Sequence, residues 1–309
     1  MVNLKGKDIL HGAQFSREEL EHIMDLADTF RIQLADRPGL DLLNGYVLAT
    51  LFFEPSTRTR LSFETAMHRL GGNVVGFSSA ESSSVAKGET LADTIHTVDQ
   101  YVDMIVMRHP ALGSAAEAAS IALSPVINGG DGAGQHPTQA LLDLYTVRSE
   151  CGKIDGITLV LCGDLKNGRT VHSGVEVYKH YKCKLIFVAP EQLKMPAEIT
   201  SRLKSLGIQF EETNDLASAI RHADALYMTR IQKERFVNPA DYDLLRNSFI
   251  LTREMIETNN PKLTVLHPLP RVNEIATDVD GLPGAAYFRQ VKNGVYVRMA
   301  LLAMITGKM

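Results

Sequence analysis

Residues 56–60, Ser-Thr-Arg-Thr-Arg, gather hydroxyl and guanidinium groups at the point where a strand should give way to a helix. The preceding residues 47–53 are apolar enough for a buried strand. The following apolar residues recur at helical spacing: Phe63, Ala66, Met67 and Leu70. A helix N-terminus presents unpaired backbone N–H groups and the positive end of the helix dipole, and arginine adds bidentate donors. The junction therefore predicts a site for a phosphate or a similar dianion.

A simpler interpretation of this junction is a serine or threonine that caps the helix, followed by surface arginines. An N-cap needs one hydroxyl and no arginine, so the anion site explains more of the residues. The chain has 32 Lys and Arg against 36 Asp and Glu, a net charge of −4. That balance argues against nucleic acid or an anionic membrane as the main partner. We therefore expect a local arginine cluster to hold any anionic substrate.

Helical and strand patterns alternate along the chain, which predicts an α/β protein with two parallel sheets, each flanked by helices. The length of 309 residues suits two domains, 1–150 and 151–285. The predicted strands of the first are 46–53, 74–77, 104–107 and 125–128; those of the second are 157–162, 184–189, 208–210, 224–228, 248–251 and 263–266. An apolar helix at about 286–306 is expected to pack back on the first domain, so that interdomain helices join the two.

Most polar candidates for chemistry come directly after predicted strands. They are Arg108, His136, Gln139, Arg169, Thr170, Arg230 and Gln232, with Leu269 in a similar position. Ligands of open α/β sheets bind beyond the carboxyl ends of the strands, so this shared position indicates function more strongly than any single motif. Individual residues also have simpler interpretations. Arg108 is compatible with a surface ion pair, and His136 with a hydrogen bond at a helix start.

Several protein classes lack support because their motifs are missing. The chain has no Walker A sequence, no G-x-S-x-G elbow and no cluster at metal-ligand spacing, so we expect neither metal nor cofactor. The loop at 163–168 follows a strand, as in a dinucleotide-binding protein, but lacks the G-x-G-x-x-G spacing. Cys151, Cys162 and Cys183 fit no zinc pattern and are expected to be free thiols. Without a signal-peptide core or an apolar run of about 18 residues, a cytoplasmic protein with no membrane span is expected.

Five segments of the chain resemble the carbamoyltransferase family, in the order in which that family carries them. They are residues 52–60 (FFEPSTRTR), 87–89 (KGE), 136–139 (HPTQ), 228–235 (MTRIQKER) and 267–271 (HPLPR). The resemblance covers essentially the whole chain. Lys87 and the segment 228–235 are typical of the branch that uses aspartate, and Pro268 stands where ornithine-specific members carry a cysteine. Transfer to ornithine or another amino acid is the alternative.

The resemblance implies transfer of a carbamoyl group from carbamoyl phosphate to the amine of L-aspartate, a step of pyrimidine biosynthesis. It implies that the first domain binds carbamoyl phosphate and the second binds aspartate. The implied carbamoyl phosphate ligands are Ser56, Thr57, Arg58, Thr59, Ser83, Lys87, Arg108, His136 and Gln139, with catalytic roles for Arg58, Thr59, Arg108 and His136. The implied aspartate ligands are Lys87, Arg169, Thr170, Arg230, Gln232 and Leu269. Charge agrees with this assignment, because a dicarboxylate calls for two separate arginines.

The resemblance also implies a homotrimer with shared active sites, because the family donates the loop with Ser83 and Lys87 to a neighbouring subunit. The same loop is compatible with a plain solvated segment, and a separate regulatory chain is left open. Two hypotheses outside the family fit less well. A dehydrogenase lacks its glycine turn here, and a catalytically silent paralogue would have lost residues of the site. All of these are present: Arg58, His136, Arg169 and Arg230.

Overall fold

The computed structural model describes residues 2–309, so only the first residue of the predicted domain 1–150 lies outside it. The chain divides into two compact units. Residues up to Leu142 together with Val291–Met309 form the first, and Asp143–Gln290 form the second. Each unit contains one parallel β-sheet with helices beside it. The prediction of an α/β protein with two parallel sheets is therefore confirmed.

The first unit is built on a four-stranded sheet. Its elements are α1 Arg17–Asp36, β1 Val47–Phe52, α2 Thr57–Arg69, β2 Asn73–Phe77, α3 Leu91–Val98, β3 Met104–His109, α4 Ser114–Ile121, β4 Val126–Asp131 and α5 Pro137–Cys151. The strand order is β2-β1-β3-β4, and all pairs are parallel. In this register Phe52 lies opposite Arg108, and Met107 lies opposite Asn128. The segments that follow β1, β3 and β4 therefore start at one edge of the sheet.

The second unit is built on a five-stranded sheet of order β7-β6-β5-β8-β9. Its elements are β5 Thr158–Cys162, α6 Arg169–Tyr178, β6 Lys184–Val188, α7 Ala197–Ser205, β7 Phe210–Thr213, α8 Leu216–Ile220, β8 Ala225–Met228, α9 Pro239–Leu245, α10 Arg253–Asn259 and β9 Thr264–Leu266. Alternate residues of the central strands, such as Val160, Leu226 and Val265, pack into one buried apolar cluster. The carboxyl ends of β5, β8 and β9 lie next to one another, as β1, β3 and β4 do in the first unit.

The last helix, α11 Tyr287–Ile305, agrees with the predicted helix at 286–306. It begins in the second unit and continues in the first from Val291, just as α5 passes from the first unit to the second after Leu142. Both helices thus supply residues to both units. Within residues 2–309, no helix is both long enough and apolar enough to cross a membrane.

One predicted strand, at 248–251, is wrong. Only Leu251 pairs there, in an isolated bridge with Ile275, and the Ile250 side chain is exposed. The segment is apolar because Leu251 is buried in the core of the second unit and Phe249 packs against that core. The buried coil segment therefore has the same run of apolar residues as a buried strand. The strand predicted at 208–210 is displaced, since β7 covers Phe210–Thr213.

Candidate active site

The side chains predicted to bind an anion in the first unit follow β1 and β4 or lie at the end of β3, at the edge where those strands end. We call them the first-unit cluster: Ser56, Thr57, Arg58, Thr59, Arg108, His136 and Gln139. The predicted strand-to-helix junction is confirmed, since β1 ends at Phe52 and α2 begins at Thr57. The cluster therefore includes the start of a helix, as the sequence indicated.

Ser56 lies at the N-cap position of α2, but its hydroxyl makes no capping hydrogen bond. The interpretation of this segment as a simple capping motif is therefore not supported. Thr57 and Arg58 are exposed in the first turn, whereas Thr59 is buried. The start of α2 thus presents hydroxyl and guanidinium groups beside backbone N–H groups that favour an anion.

Arg60 forms an ion pair within helix α2. Its Nη1 lies 3.1 Å from Oε1 of Glu64, one turn further along α2. The same carboxylate oxygen accepts a hydrogen bond from the Thr50 hydroxyl at 3.1 Å. The sequence suggested two arginines for the anion, but this ion pair leaves that role at the junction to Arg58.

The start of α5 brings His136 and Gln139 to the cluster. Nε2 of His136 lies 3.4 Å from Oγ1 of Thr59, and both side chains are buried. Gln139 is buried as well, in the first turn of α5. The contact joins the starts of α2 and α5, so a ligand bound at one helix start lies close to the other.

The loop before His136 is held by Asp131, a residue that the sequence analysis missed. Its carboxylate accepts hydrogen bonds from the backbone N–H groups of Gly113 at 3.0 Å and Gln135 at 2.6 Å. The side-chain amide of Asn128 donates to it at 3.2 Å. The available signal was an acidic residue inside the glycine-rich segment 129–134.

Arg108 reaches the same edge from the end of β3, with its guanidinium in an ion pair. Its Nε lies 2.7 Å from Oε1 of Glu54, and its Nη1 donates to the Gly129 carbonyl at 3.4 Å. An ion pair was the simpler interpretation of Arg108, and one is present. It is not a surface pair, however, because only 15% of the Arg108 side chain is exposed. Glu54 belongs to the segment 52–60, so the pair lies within the predicted anion site.

Ser83 and Lys87 follow β2, one of the two outer strands of the first sheet. Their segment forms two short 3-10 turns, Ala80–Ser82 and Ser84–Lys87. The Ser83 hydroxyl donates to the Ala80 carbonyl at 2.8 Å, and Lys87 is exposed at the end of the second turn. Because they follow a different strand from the first-unit cluster, their part in ligand binding stays a prediction.

The predicted side chains of the second unit also follow neighbouring strands, β5, β8 and β9. We call them the second-unit cluster: Arg169, Thr170, Arg230, Gln232 and Leu269. All five are half-buried. Gln232 joins two of the segments, because its Nε2 donates to the Asn167 carbonyl at 3.1 Å. The segments after β5 and β8 are therefore in direct contact.

The loop between β5 and α6 is organised by Asp164, a fully buried carboxylate. It accepts a hydrogen bond from the backbone N–H of Asn167 at 3.0 Å. Gly163 has a φ of 125°, and a Cβ there would lie 2.0 Å from the Thr229 carbonyl oxygen. Glycine is therefore required by the close approach of two strand ends. This accounts for the glycine without a dinucleotide.

Arg230 forms a two-pronged ion pair with Glu234, four residues further along the chain. One prong joins Nη1 to Oε2 at 3.1 Å, and the other joins Nη2 to Oε1. Burial by itself would raise the pKa of Glu234, but hydrogen bonds from Arg230 and from its own backbone bring that pKa below its ordinary value. The Glu234 side chain is 52% exposed, so solvent and ligands can reach the pair. An incoming carboxylate would compete with Glu234 for the Arg230 guanidinium.

Leu269 lies in the turn after β9 with a left-handed backbone conformation, φ 54°. Such a φ is unfavourable for a leucine, so neighbouring groups have to hold it. The backbone N–H of Leu269 donates to Nδ1 of His267 at 2.7 Å, and Nε2 of His267 lies 2.7 Å from Oε1 of Glu274. The turn thus rests on two buried side chains.

Burial holds the three cysteine thiols of the chain in their protonated form. Burial raises the pKa of Cys162 well above its ordinary value, that of Cys183 to about 11, and that of Cys151 as well. The three thiols are free and stay protonated near neutral pH, which makes them poor nucleophiles. Across residues 2–309, no group of three or more His, Cys, Asp or Glu side chains could hold a metal ion.

Comparison with known proteins places both clusters in one family. Residues 7–149 match the carbamoyl-P binding domain of the aspartate/ornithine carbamoyltransferases, and residues 155–305 match the Asp/Orn binding domain. The chain is 53% identical over 306 residues to the aspartate carbamoyltransferase catalytic subunit of Thermococcus kodakarensis, covering 99% of each protein. It is 50% identical over 308 residues to that of Methanopyrus kandleri, again covering 99% of each.

Solved structures agree over the same length. The chain resembles aspartate transcarbamoylase from Trypanosoma cruzi in complex with carbamoyl phosphate and aspartate, with a TM-score of 0.93 and 43% identity over 98% of this chain and 97% of that one. It also resembles the catalytic subunit of M. jannaschii aspartate transcarbamoylase, with a TM-score of 0.92 and 47% identity over 97% and 98%. Both sheets and both clusters therefore fall within the matched region.

Proposed function

The chain belongs to the aspartate/ornithine carbamoyltransferase family, and we propose that it transfers the carbamoyl group of carbamoyl phosphate to the amine of L-aspartate. The products are N-carbamoyl-L-aspartate and phosphate. The choice of acceptor is carried by Arg169 and Arg230, which follow the neighbouring strands β5 and β8. Aspartate brings two carboxylates, and two guanidinium groups on adjacent segments give each carboxylate a bidentate partner. Ornithine would bring an extra ammonium group to the same two cations.

Carbamoyl phosphate binds to the first unit in this proposal. Its phosphate takes the N-terminus of α2, where backbone N–H groups and the helix dipole favour an anion. The side chains that hold it are Ser56, Thr57, Arg58, Thr59 and Arg108, with Ser83 and Lys87 from the segment after β2. Nε of Arg108 lies 2.7 Å from Oε1 of Glu54, so the phosphate shares this guanidinium with a carboxylate of the protein.

Catalysis consists of stabilising the charge that develops as the amine attacks the carbamoyl carbon. Thr59, Arg108 and His136 direct donors at the carbonyl oxygen, which becomes a tetrahedral oxyanion, and Gln139 binds the carbamoyl NH₂. The 3.4 Å contact between Thr59 and His136 supports this assignment, because it places both groups beside one another. Loss of one such donor typically costs about 2.7–4 kcal/mol of barrier.

The departing phosphate is the proposed base for the amine proton. The phosphate is released beside the attacking amine and needs no further side chain. A complex with a bisubstrate analogue tests this step. An Asp, Glu or His within hydrogen-bond distance of the amine position would count against it.

L-Aspartate binds to the second unit, through Arg169, Thr170, Arg230 and Gln232, with Lys87 as a further cation. Leu269 contributes its backbone, because an apolar side chain offers nothing to a dicarboxylate. Its N–H is engaged by His267, whereas its carbonyl oxygen has two lone pairs and can accept from the amine. The acceptor amine is thus proposed to lie at the left-handed turn after β9.

The assembly we propose is a cytoplasmic homotrimer with shared active sites. Ser83 and Lys87 support it, because they follow the outer strand β2, from which a segment can be offered to a neighbouring subunit. Sedimentation velocity of the purified protein tests the trimer. The same measurement on cell extract would reveal a separate regulatory chain as a larger complex.

A colorimetric assay for N-carbamoyl amino acids tests the reaction, with carbamoyl phosphate and either aspartate or ornithine offered in parallel. We expect product with aspartate and phosphate released in equal amount. Product with ornithine at equal or higher rate would overturn the choice of acceptor. No product with either acid would overturn the reaction itself.

A further inference from the structure

A buried carboxylate outside the predicted site, Glu274, controls the turn that carries Leu269. We propose that Glu274 fixes the ring of His267 in its Nε2–H tautomer, so that Nδ1 holds Leu269 in the conformation that presents its carbonyl oxygen to the acceptor. Glu274 and His267 are thus positioning residues. The identity of the acceptor rests on the proposed function, whereas the tautomer does not.

The carboxylate of Glu274 contacts several groups of the turn, and the residue is only 5% exposed. Its Oε1 lies 2.7 Å from Nε2 of His267, and its Oε2 accepts from the backbone N–H groups of Val272 and Asn273, each at 3.1 Å. Burial by itself would raise the pKa of Glu274, but the interaction with His267 and the backbone hydrogen bonds from Glu274 itself and from Val272 bring it below its ordinary value. The carboxylate is therefore ionised near neutral pH and can only accept hydrogen bonds.

Two fixed neighbours leave His267 one protonation state. An ionised carboxylate at Nε2 requires a proton on Nε2. The Leu269 N–H at 2.7 Å from Nδ1 is always a donor, so Nδ1 has to be a bare acceptor. In the Nδ1–H tautomer and in the imidazolium, the Nδ1–H would face the Leu269 N–H, so that two donors would point at one another. Only the neutral Nε2–H ring satisfies both contacts.

The backbone of His267 is held separately, so Glu274 acts on the ring. The His267 N–H donates to Oε1 of Gln290 at 2.9 Å, and Nε2 of Gln290 donates to Oδ1 of Asp143 at 2.6 Å. Gln290 and Asp143 are both buried. Because the main chain is anchored in this way, loss of Glu274 should change the tautomer and orientation of the imidazole and leave the end of β9 in place.

Glu274→Gln tests the proposal with little change in shape. The glutamine has one acceptor and one donor group. If its oxygen serves the two backbone N–H groups, its NH₂ faces Nε2 and favours the Nδ1–H tautomer, which the Leu269 N–H opposes. We expect the KM for aspartate to rise by about tenfold or more, because a buried polar group is left without a partner. The dissociation constant of carbamoyl phosphate should change less than about twofold, because Glu274 lies in the second unit.

A second variant offers a rescue that general loosening of the turn would not give. Asparagine at position 267 has Oδ1 where histidine has Nδ1, so it can accept from the Leu269 N–H without any contribution from Glu274. The double variant Glu274→Gln, His267→Asn should therefore recover part of the aspartate KM that Glu274→Gln loses. No recovery, or a further loss, would overturn the tautomer mechanism.

The tautomer itself can be observed in the wild-type protein, whether or not Glu274→Gln folds. Solid-state NMR of sedimented protein labelled with ¹⁵N-histidine separates protonated from bare ring nitrogens, and His267→Asn assigns the signal. We expect a protonated Nε2 and a bare Nδ1 for His267. A protonated Nδ1, alone or with Nε2, would overturn the proposal, even if aspartate is not the acceptor.

Asp280→Asn is the matched control in the same part of the chain. Asp280 pairs with Arg271, with Oδ2 2.6 Å from Nη2, and it makes no part of the Glu274 contact. This variant should leave the aspartate KM within about threefold of wild type and the His267 signals unchanged. If the KM for aspartate rose equally in Glu274→Gln and Asp280→Asn, any loosening of the segment would be enough to raise it, and the tautomer mechanism would be overturned. Wild-type turnover measured in parallel separates failure of this proposal from failure of the proposed reaction.

Discussion

Nε of Arg108 lies 2.7 Å from Oε1 of Glu54, although the two residues are 54 positions apart in the sequence. The contact exists because β1 and β3 are neighbours, and the Phe53 N–H donates to the Arg108 carbonyl at 2.9 Å just beyond their last paired residues. The proposed phosphate ligand is therefore held by a carboxylate of the anion-binding segment itself. A dianion at this site has to compete with Glu54 for the guanidinium.

That competition predicts opposite effects of two substitutions on phosphate binding. Arg108→Met should weaken the binding of inorganic phosphate by about tenfold or more, since a charge-assisted hydrogen bond is lost. Glu54→Gln keeps the shape but removes the competing charge, so phosphate should bind several-fold more tightly. Isothermal titration calorimetry measures both. Equal weakening in both variants would show that Glu54 acts mainly by orienting Arg108.

Arg58→Ala should abolish turnover, and Arg60→Ala should not. Arg58 is exposed at the start of α2, where the substrate phosphate is proposed to bind, whereas Arg60 pairs with Glu64. We expect kcat to fall by at least about 10²-fold in Arg58→Ala and to change by less than about threefold in Arg60→Ala. Steady-state kinetics measures kcat for both variants, and circular dichroism checks that each of them folds. An Arg58→Ala protein with more than about a tenth of wild-type kcat would contradict the assignment.

Arg230→Ala should impair the use of aspartate far more than the binding of carbamoyl phosphate. The residue lies in the second unit, after β8, and a substrate carboxylate would compete with Glu234 for its guanidinium. Separate titrations with succinate, as a dicarboxylate without the amine, and with carbamoyl phosphate measure the two effects. Arg235→Ala, an exposed arginine in the same segment, is the control. Equal losses for both ligands would refute this division.

The sequence predicted the parts of the site that local patterns specify. Hydroxyls and an arginine after an apolar strand were enough to place Ser56–Arg58 at the start of a helix, as observed. The pattern could not assign Arg60 to Glu64 in place of the anion, because the choice between two partners depends on side-chain geometry. Helical spacing at i and i+4 allowed that pair but did not require it.

Contacts between distant segments were beyond the reach of the sequence. The pairs Arg108–Glu54 and Thr59–His136 follow from the order β2-β1-β3-β4, and strand order is not encoded in the periodicity of any one strand. The false strand at 248–251 has the same origin. Leu251 is apolar because it packs against other elements of the second unit, and burial alone does not distinguish coil from strand.

Cys183 should make the stability of the protein fall at alkaline pH. Burial raises the pKa of its thiol from an ordinary value of 9.0 to about 11. Between these values the unfolded chain has lost the proton and the folded chain has kept it, so stability decreases as pH rises. The slope reaches about 1.4 kcal/mol per pH unit. The alanine variant Cys183→Ala lacks this contribution.

The test is the free energy of unfolding in urea, measured at pH 8 and pH 10 for wild type and Cys183→Ala. The stability advantage of wild type over the variant should shrink by about 1 kcal/mol between the two pH values. Other groups titrate in this range, but they titrate in both proteins and cancel in the comparison. An advantage that is unchanged at pH 10 would show that the folded thiol ionises as easily as the unfolded one.

Hybrid trimers should regain activity from two inactive parents. In the proposed assembly each active site takes Arg58 from one chain and Lys87 from its neighbour. Lys87→Ala and Arg58→Ala should therefore each be nearly inactive alone. In any trimer that contains both kinds of chain, cyclic symmetry leaves one of the three sites with an intact Arg58 and an intact Lys87. Random reassembly of an equal mixture makes about three-quarters of the trimers hybrid, so about a quarter of wild-type activity should return.

The measurement is the specific activity after the two variants are dissociated, mixed and reassembled, with each variant treated alone as the control. If Lys87 and Arg58 served the same chain's site, every chain in the mixture would carry a lesion in its own site, and mixing would restore nothing. Recovery near a quarter would assign Lys87 to the neighbour's site and make trimer formation a requirement for catalysis, whereas a flat result would overturn the shared site.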